Sequence, residues 1–162
     1  MLYYLSLVIP SWYLYHIIEY GLHKLSHSRK YGGYIYRIHM NHHRKYYPLK
    51  NFTDYEPYQT GQIMGLSDGL VAFSLPGIFI SLGFYQIVEY NTFMKMFQQI
   101  FVIFLVSDYF HTQYHTKGSW LEKYEWFLYL RNNHRIHHKT YIKNLNMIDP
   151  TIDKLNHSFK NK

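Results

Sequence analysis

Four clusters of histidine constrain this chain more than any other feature of its sequence. His23 and His27 (HKLSH), His39, His42 and His43 (HMNHH), His111 and His115 (HTQYH), and His134, His137 and His138 (HRIHH) hold ten of its twelve histidines. The order His-x3-His followed by His-x2-His-His occurs twice. On a helix, i and i+4 face the same way and i, i+3 and i+4 share a stripe, so each cluster is expected to present its rings to one point. Ten protonated rings would repel one another on a chain whose formal charge is already +7. A bound cation resolves this, because it selects the neutral imidazole and takes the place of the proton. A single zinc ion takes four ligands, so ten suit two metals of higher coordination number, about five imidazoles each with a position left open. A structural metal site would leave six of them redundant. The donor chemistry describes a pair of iron sites, although zinc or manganese could occupy them, and spacing does not identify the metal. His16 reads as a satisfied interfacial histidine and His157 as a surface residue.

The chain has no cysteine, which excludes disulfides, zinc ribbons, iron–sulfur clusters and thiol nucleophiles. Its 162 residues fit one domain, and 17% charged against 48% hydrophobic residues exclude disorder. The mean hydropathy of −0.31 averages two kinds of segment. Residues 1–18 carry no Asp, Glu, Lys or Arg, and as a helix they would reach about 27 Å, close to the hydrocarbon thickness of a bilayer. No basic residue precedes this run and no small-residue cleavage site follows it, so it is expected to be retained rather than cleaved as a signal peptide. A second charge-free run, Gly69–Val88, is bounded by Asp68 and Glu89 and interrupted at Pro76–Gly77. A third, Thr92–Tyr109, carries only Lys95 and Asp108 as charges. Three transmembrane helices are therefore expected, at about 1–18, 69–88 and 92–109, in one all-α domain covering 1–162.

Charge placement bears on the topology. Sixteen of the seventeen Lys and Arg residues fall in 23–60 and 111–162, the two segments that carry the boxes at 23–43 and 111–138; Lys95 is the exception. One crossing followed by a down-and-back pair puts both basic segments on one side, which the positive-inside rule makes cytosolic, as a helical cap carrying the histidines. Gly32–Gly33, Tyr47–Pro48 and Glu56–Pro57 break residues 28–62 into short pieces. Residues 120–133 (WLEKYEWFLYLRNN) are expected to form an amphipathic helix near the interface. Two carboxylates could support the ligands. Glu19 lies four residues before His23 and Asp108 three before His111, each one helical turn away, where a carboxylate would accept the far ring N–H and fix the tautomer.

At these residues the chain resembles the fatty acid hydroxylase/sterol desaturase superfamily, the integral-membrane histidine-box oxygenases. HKLSH, HMNHH, HTQYH and HRIHH correspond in type and order to that family's boxes, and NLNMIDPTIDKL (144–155) resembles the segment after its last box, with Asp153 in the place of a recurrent acidic residue. The resemblance covers about residues 19–155. It implies a dinuclear metal centre on the cytosolic face, ligated by all ten box histidines, that uses dioxygen as co-substrate to hydroxylate or desaturate a C–H bond of a fatty acyl, sterol or sphingolipid substrate. It also implies the endoplasmic reticulum or an equivalent membrane. The family commonly has two spans before its first box, whereas 22 residues precede His23 here, so a homodimer is an expected arrangement. No fused haem domain fits, so electrons are expected from a separate haem carrier and its reductase.

Other functions are less well served. No Ser-His-Asp arrangement, phosphate-binding glycine loop or paired Glu-x-x-His helix supports hydrolysis, phosphoryl transfer or a soluble carboxylate-bridged iron site. Nucleic-acid binding would place the positive charge along a groove without flanking spans. Metal transport would place ligands at mid-membrane depth, whereas these follow the span ends. A protein that merely binds anionic lipid, or a soluble bundle with three buried helices, would leave the duplicated spacing without a purpose.

Overall fold

The computed structural model describes residues 2–53, 77, 79–80 and 82–161, and among them every regular element is helical. Helix α1 (Leu2–Ser6) and helix α2 (Val8–Ser26) are separated at Leu7. The cause is Pro10, which has no N–H for the Ser6 carbonyl and whose ring crowds that position. The expected first span is thus divided, and α2 continues eight residues beyond it, carrying His23 in its last turn. Helix α3 (Gly33–Asn41) follows a tight turn and runs into a π-helical turn at His42–Tyr46. Pro48 is extended and ends it, as the Tyr47–Pro48 step predicts, and a 3-10 turn covers Leu49–Asn51. The second expected span, 69–88, lies mostly outside the described residues; positions 77, 79–80 and 82–85 within it are helical.

Among the described residues helix α4 (Tyr90–His115) is the longest element, and it contains the expected third span. Glu89 caps it, accepting hydrogen bonds from the Asn91 and Thr92 N–H groups at 3.0 and 2.9 Å. Among the described residues α4 alone is long and apolar enough to cross a membrane. Helix α2 falls short because the face it turns inward carries Ser11, His16 and His23, all buried, with the half-buried Glu19 between them.

Helices α2 and α4 pack in parallel. Ser11 donates to Gln99 Oε1 and, eight residues on in both helices, Ser107 donates to Glu19 Oε1, each at 2.8 Å. Their outer faces remain apolar and exposed: Val8, Ile9, Tyr13 and Ile17 on α2, Phe97, Phe101, Val102, Leu105 and Val106 on α4. Parallel packing brings the ends of both helices, with His23 and His115, to one place.

Beyond α4, Gly118 turns the chain with a positive φ of 70°. A 3-10 turn (Trp120–Lys123) then leads to helix α5 (Glu125–Lys139), with Tyr124 extended between them. The single helix expected over 120–133 is therefore two elements, and α5 runs on through the last histidine box. Arg131 on α5 secures the end of α4, donating to the carbonyls of Tyr114 (2.9 Å), Gln113 and Thr116 and to Glu122 Oε1 (2.8 Å). Phe52, Tyr114, Leu121 and Phe127 form the apolar core at this end, with Phe110, Leu130 and Met147 packed against it. Helix α6 (Thr151–Leu155) folds the tail back onto α2.

Candidate metal centre

The ten box histidines converge at the common end of α2 and α4. They divide into two groups. His23, His27, His39, His43 and His137 place one ring nitrogen each within 4.8 Å of one another, as do His42, His115, His134 and His138. His111 adjoins the second group, with its Nε2 3.2 Å from that of His42. His16 stays apart from both groups: it is buried and pairs through Nδ1 with Glu19 at 3.1 Å, but its Nε2 has no hydrogen-bond partner among the described residues, so it is not the fully satisfied histidine expected. His157 is exposed.

The expectation that each cluster serves one point needs correction. His39 and His43 join the first group while His42 joins the second; His134 and His138 join the second while His137 joins the first. The i,i+4 pairs stay together and the third histidine of each triplet crosses over. Successive helical residues are rotated by about 100°, so i and i+4 diverge by only about 40° whereas adjacent residues cannot share a target. Each group is thus built from two pairs of one half of the chain and one histidine from the other half.

The rings meet through Nε2. His39 Nε2 lies 3.0 Å from the Nε2 atoms of His23, His27 and His43, and His137 Nε2 lies 3.2 Å from His27 and 3.1 Å from His43. In the second group the Nε2 separations are 3.0 Å for His134–His115, 3.2 Å for His138–His134 and 3.3 Å for His42–His138. Four rings have their outer nitrogen against a backbone carbonyl: His23 against Leu145, His137 against Lys143 (2.9 Å), His115 against Phe52 (2.9 Å) and His138 against Tyr47 (2.9 Å). A carbonyl only accepts, so Nδ1 carries the proton and, in the neutral ring, Nε2 is a bare lone pair aimed inward.

Protons do not reconcile this geometry. A single N–H on His39 could satisfy at most one of its three close neighbours, and lone pairs at 3.0 Å repel. A cation accepted by all of them removes the conflict, and neutral imidazole with Nδ1–H held by a carbonyl is the state that binds one. Burial, reinforced by the charge neighbouring rings would carry, pushes His39, His42, His43, His134 and His137 well below the usual imidazole range, His27 to about 2 and His138 to about 3. The donor set therefore fits two nitrogen-bound metal ions.

The supporting groups differ from the expected ones. Glu19 does not receive the far N–H of His23, because the Leu145 carbonyl occupies that position. Its carboxylate instead accepts from the hydroxyls of Tyr15 (2.9 Å) and Ser107 and from the Asn146 side chain (2.8 Å), joining α2, α4 and the tail. Asp108 is buried on α4 one turn before His111, and its backbone carbonyl accepts from Thr112. Asp153, fully buried, bonds the backbone of Leu145 and Asn146 rather than a ring. Sequence reasoning missed the four backbone acceptors, since a carbonyl belongs to every residue and leaves no signature. It also missed Tyr47, whose ring stacks on His115 at 4.0 Å, Phe52, edge-on to His115 at 4.6 Å, and Tyr141, stacked on His27 at 5.4 Å. Comparison with known proteins yields no match to a family profile, to a curated protein or to a solved structure.

Proposed function

We propose that this chain is a membrane-bound dinuclear-metal oxidase that hydroxylates a lipid C–H bond with dioxygen. The observation that carries the reading is the convergence of ten box histidines, nine of them buried, into two adjoining groups, with four Nδ1 atoms held by carbonyls so that their Nε2 lone pairs turn inward. His23, His27, His39, His43 and His137 would hold one ion, and His42, His111, His115, His134 and His138 the other. When bound, a redox-active metal pair, iron in this reading, supplies the chemistry with dioxygen that an unactivated C–H bond requires.

The remaining work falls to the chain. The Leu145, Lys143, Phe52 and Tyr47 carbonyls fix the ligand tautomers, and the aromatic rings of Tyr47, Phe52 and Tyr141 limit water access to the imidazoles. The exposed apolar faces of α2 and α4 suit lipid, and a lipid tail lying along them would bring a carbon to the histidine end. Phe52 stands beside His115 while Tyr90 begins α4, so residues 52 and 90 lie at opposite ends of that helix. This supports a returning crossing and a topology with both basic segments, and the histidines, on the cytosolic side. One oxygen atom enters the lipid and the other leaves as water, with two electrons reaching the site from a separate haem carrier and its reductase and two protons from water. An endoplasmic reticulum location and a homodimer belong to the same reading.

The test is to purify the chain in detergent, measure metal per chain, and compare membrane lipids with and without expression under oxygen. Two metals per chain and a hydroxylated lipid absent from His42→Ala and His138→Ala are expected. A ratio near one or zero overturns the dinuclear centre, and an unsaturated product in place of a hydroxylated one assigns desaturation on the same scaffold.

A further inference from the structure

The tail holds His23 through more than a hydrogen-bond acceptor. Asp153 is completely buried, and its two carboxylate oxygens receive the N–H of Leu145 at 2.9 Å and the N–H of Asn146 at 2.8 Å. The Asn146 N–H and the Leu145 carbonyl are the two ends of one peptide unit. That carbonyl accepts the Nδ1–H of His23. A continuous line therefore runs from the carboxylate through a peptide to an imidazole whose Nε2 faces the first histidine group. We propose that Asp153 is a positioning residue that acts on the first metal site through the Leu145–Asn146 peptide; this rests on the metal-binding reading above.

The physical basis is polarisation along a hydrogen-bonded chain. An N–H that donates to a carboxylate makes the carbonyl of the same peptide a stronger acceptor, and that in turn strengthens its bond to Nδ1–H and raises the basicity of Nε2. The surrounding segment is built rigidly enough to transmit this. Asn144 adopts a left-handed conformation (φ 52°), and its side chain donates to the carbonyls of Asn133 at 3.1 Å and Lys160 at 2.9 Å while accepting the Lys160 N–H at 2.8 Å. Ser158 closes the arrangement by donating to Asp153 Oδ1 at 2.7 Å. The equivalent acceptor for His138 is built differently. Its carbonyl belongs to Tyr47, the next residue is Pro48, and a peptide ending in proline nitrogen has no N–H to offer a carboxylate.

The experiment compares the full-length chain with its Asp153→Asn and Ser158→Ala variants in detergent. Cobalt(II) is titrated against a chelator to resolve the two affinities, and imidazole ¹⁵N spectra are recorded on the zinc-loaded protein. Asp153→Asn is expected to weaken one of the two sites by about 10- to 100-fold, the site that His39→Ala abolishes, and to leave the other unchanged. The His23 Nδ1–H resonance should move upfield as its hydrogen bond weakens. Ser158→Ala, which removes one donor to the carboxylate but keeps both backbone bonds, is expected to weaken the first site less than Asp153→Asn and to leave the second unchanged. Two unchanged affinities in Asp153→Asn overturn the relay while leaving the metal reading intact. A wild-type chain that binds no cobalt overturns the metal reading and the relay with it. Should Asp153→Asn fail to fold, the wild-type spectra still decide: a His23 proton on Nδ1 supports the relay, and one on Nε2 overturns it.

Discussion

The two histidine groups are built from the same repeated pattern but set in different surroundings. The first draws one ring nitrogen from each of five histidines to within 4.8 Å of one another, and the tail braces it through Lys143 and Leu145. The second draws four rings that close, with His111 to one side, and the short segment from Tyr47 to Phe52 braces it. Phe52 also lines an open cavity of about 440 Å³ with Leu49, Lys50, Thr53, Leu128, Arg131, Asn132 and Arg135. The tail supplies two carbonyls to the first group, whose His27 is the one ring of the ten that is not fully buried, whereas the second group is buried throughout and has Phe52 between it and that cavity. A duplicated ligand pattern thus specifies which atoms can bind, and the segments outside the repeat specify how each site is held and reached.

The largest effects should separate the two groups outright. His39 sits at the hub of the first, with three Nε2 neighbours at 3.0 Å, and His134 lies between His115 and His138 in the second, so His39→Ala and His134→Ala are each expected to lower metal content from two ions per chain to one, and the double variant to abolish it. The crossover makes a sharper demand. His137→Ala, although it lies in the same box as His134, should behave in cobalt titrations like His39→Ala, and His42→Ala like His134→Ala. If metal loss instead follows the boxes, with His137→Ala matching His134→Ala, the exchange of third histidines between groups is wrong.

A smaller effect is expected where the backbone places one pair against the other. Gly32 stands at the turn between α2 and α3, and a Cβ there would meet the Leu25 carbonyl oxygen at 2.5 Å and that of Ser28 at 2.7 Å. Neither is a flexible side-chain end, so Gly32→Ala must push α3 away from α2, at a cost of about 1–3 kcal/mol. His39 and His43 of the first group move with α3, and so does His42 of the second, while His134 and His138 do not. Thermal unfolding should show the loss of stability, and cobalt titration should show greater weakening of the first group, where two ligands shift, than of the second, where one does. Equal weakening of both would mean that the groups are not independently supported.

Much of this arrangement was legible in the residues, and the misses share a cause. The histidine spacing identified the ten rings that converge, and the apolar run 92–109 lies within α4, because both signals depend on side-chain chemistry repeated along one helix. The Gly32–Gly33 and Tyr47–Pro48 breaks also fall where helices end, since backbone restriction at those residues is local. The division of each triplet was not legible. It depends on rotation about helix axes relative to partners far away in the chain, and the π-helical turn at His42–Tyr46 alters that rotation. Nor was the role of Glu19, for its one-turn spacing from His23 is right for contact, yet the tail supplies a carbonyl that occupies the place.

His111 distinguishes the second group by degree rather than by presence. Its Nε2 approaches His42 but does not lie within 4.8 Å of every nitrogen in the set of four. His111→Ala is therefore expected to weaken the second site less than His134→Ala does, because the four mutually close nitrogens stay in place, whereas His134→Ala breaks that set. Complete loss of that ion would show that His111 is an equal member and that the two groups have the same denticity.

Glu19 should give the smallest effect on metal and thereby test which carboxylate serves the first group. Its oxygens accept from Tyr15, Ser107 and Asn146 and pair with His16, so Glu19→Gln turns an amide N–H₂ toward groups that were donating. One unsatisfied buried contact of this kind costs about 1–3 kcal/mol, which thermal unfolding would record. Metal affinity should hardly change, because the His23 ring is fixed by Leu145 and Asp153 rather than by the residue one turn before it. If Glu19→Gln instead weakens the first site as strongly as Asp153→Asn, the carboxylate that governs His23 acts through the helix, and the tail does no more than cover the site.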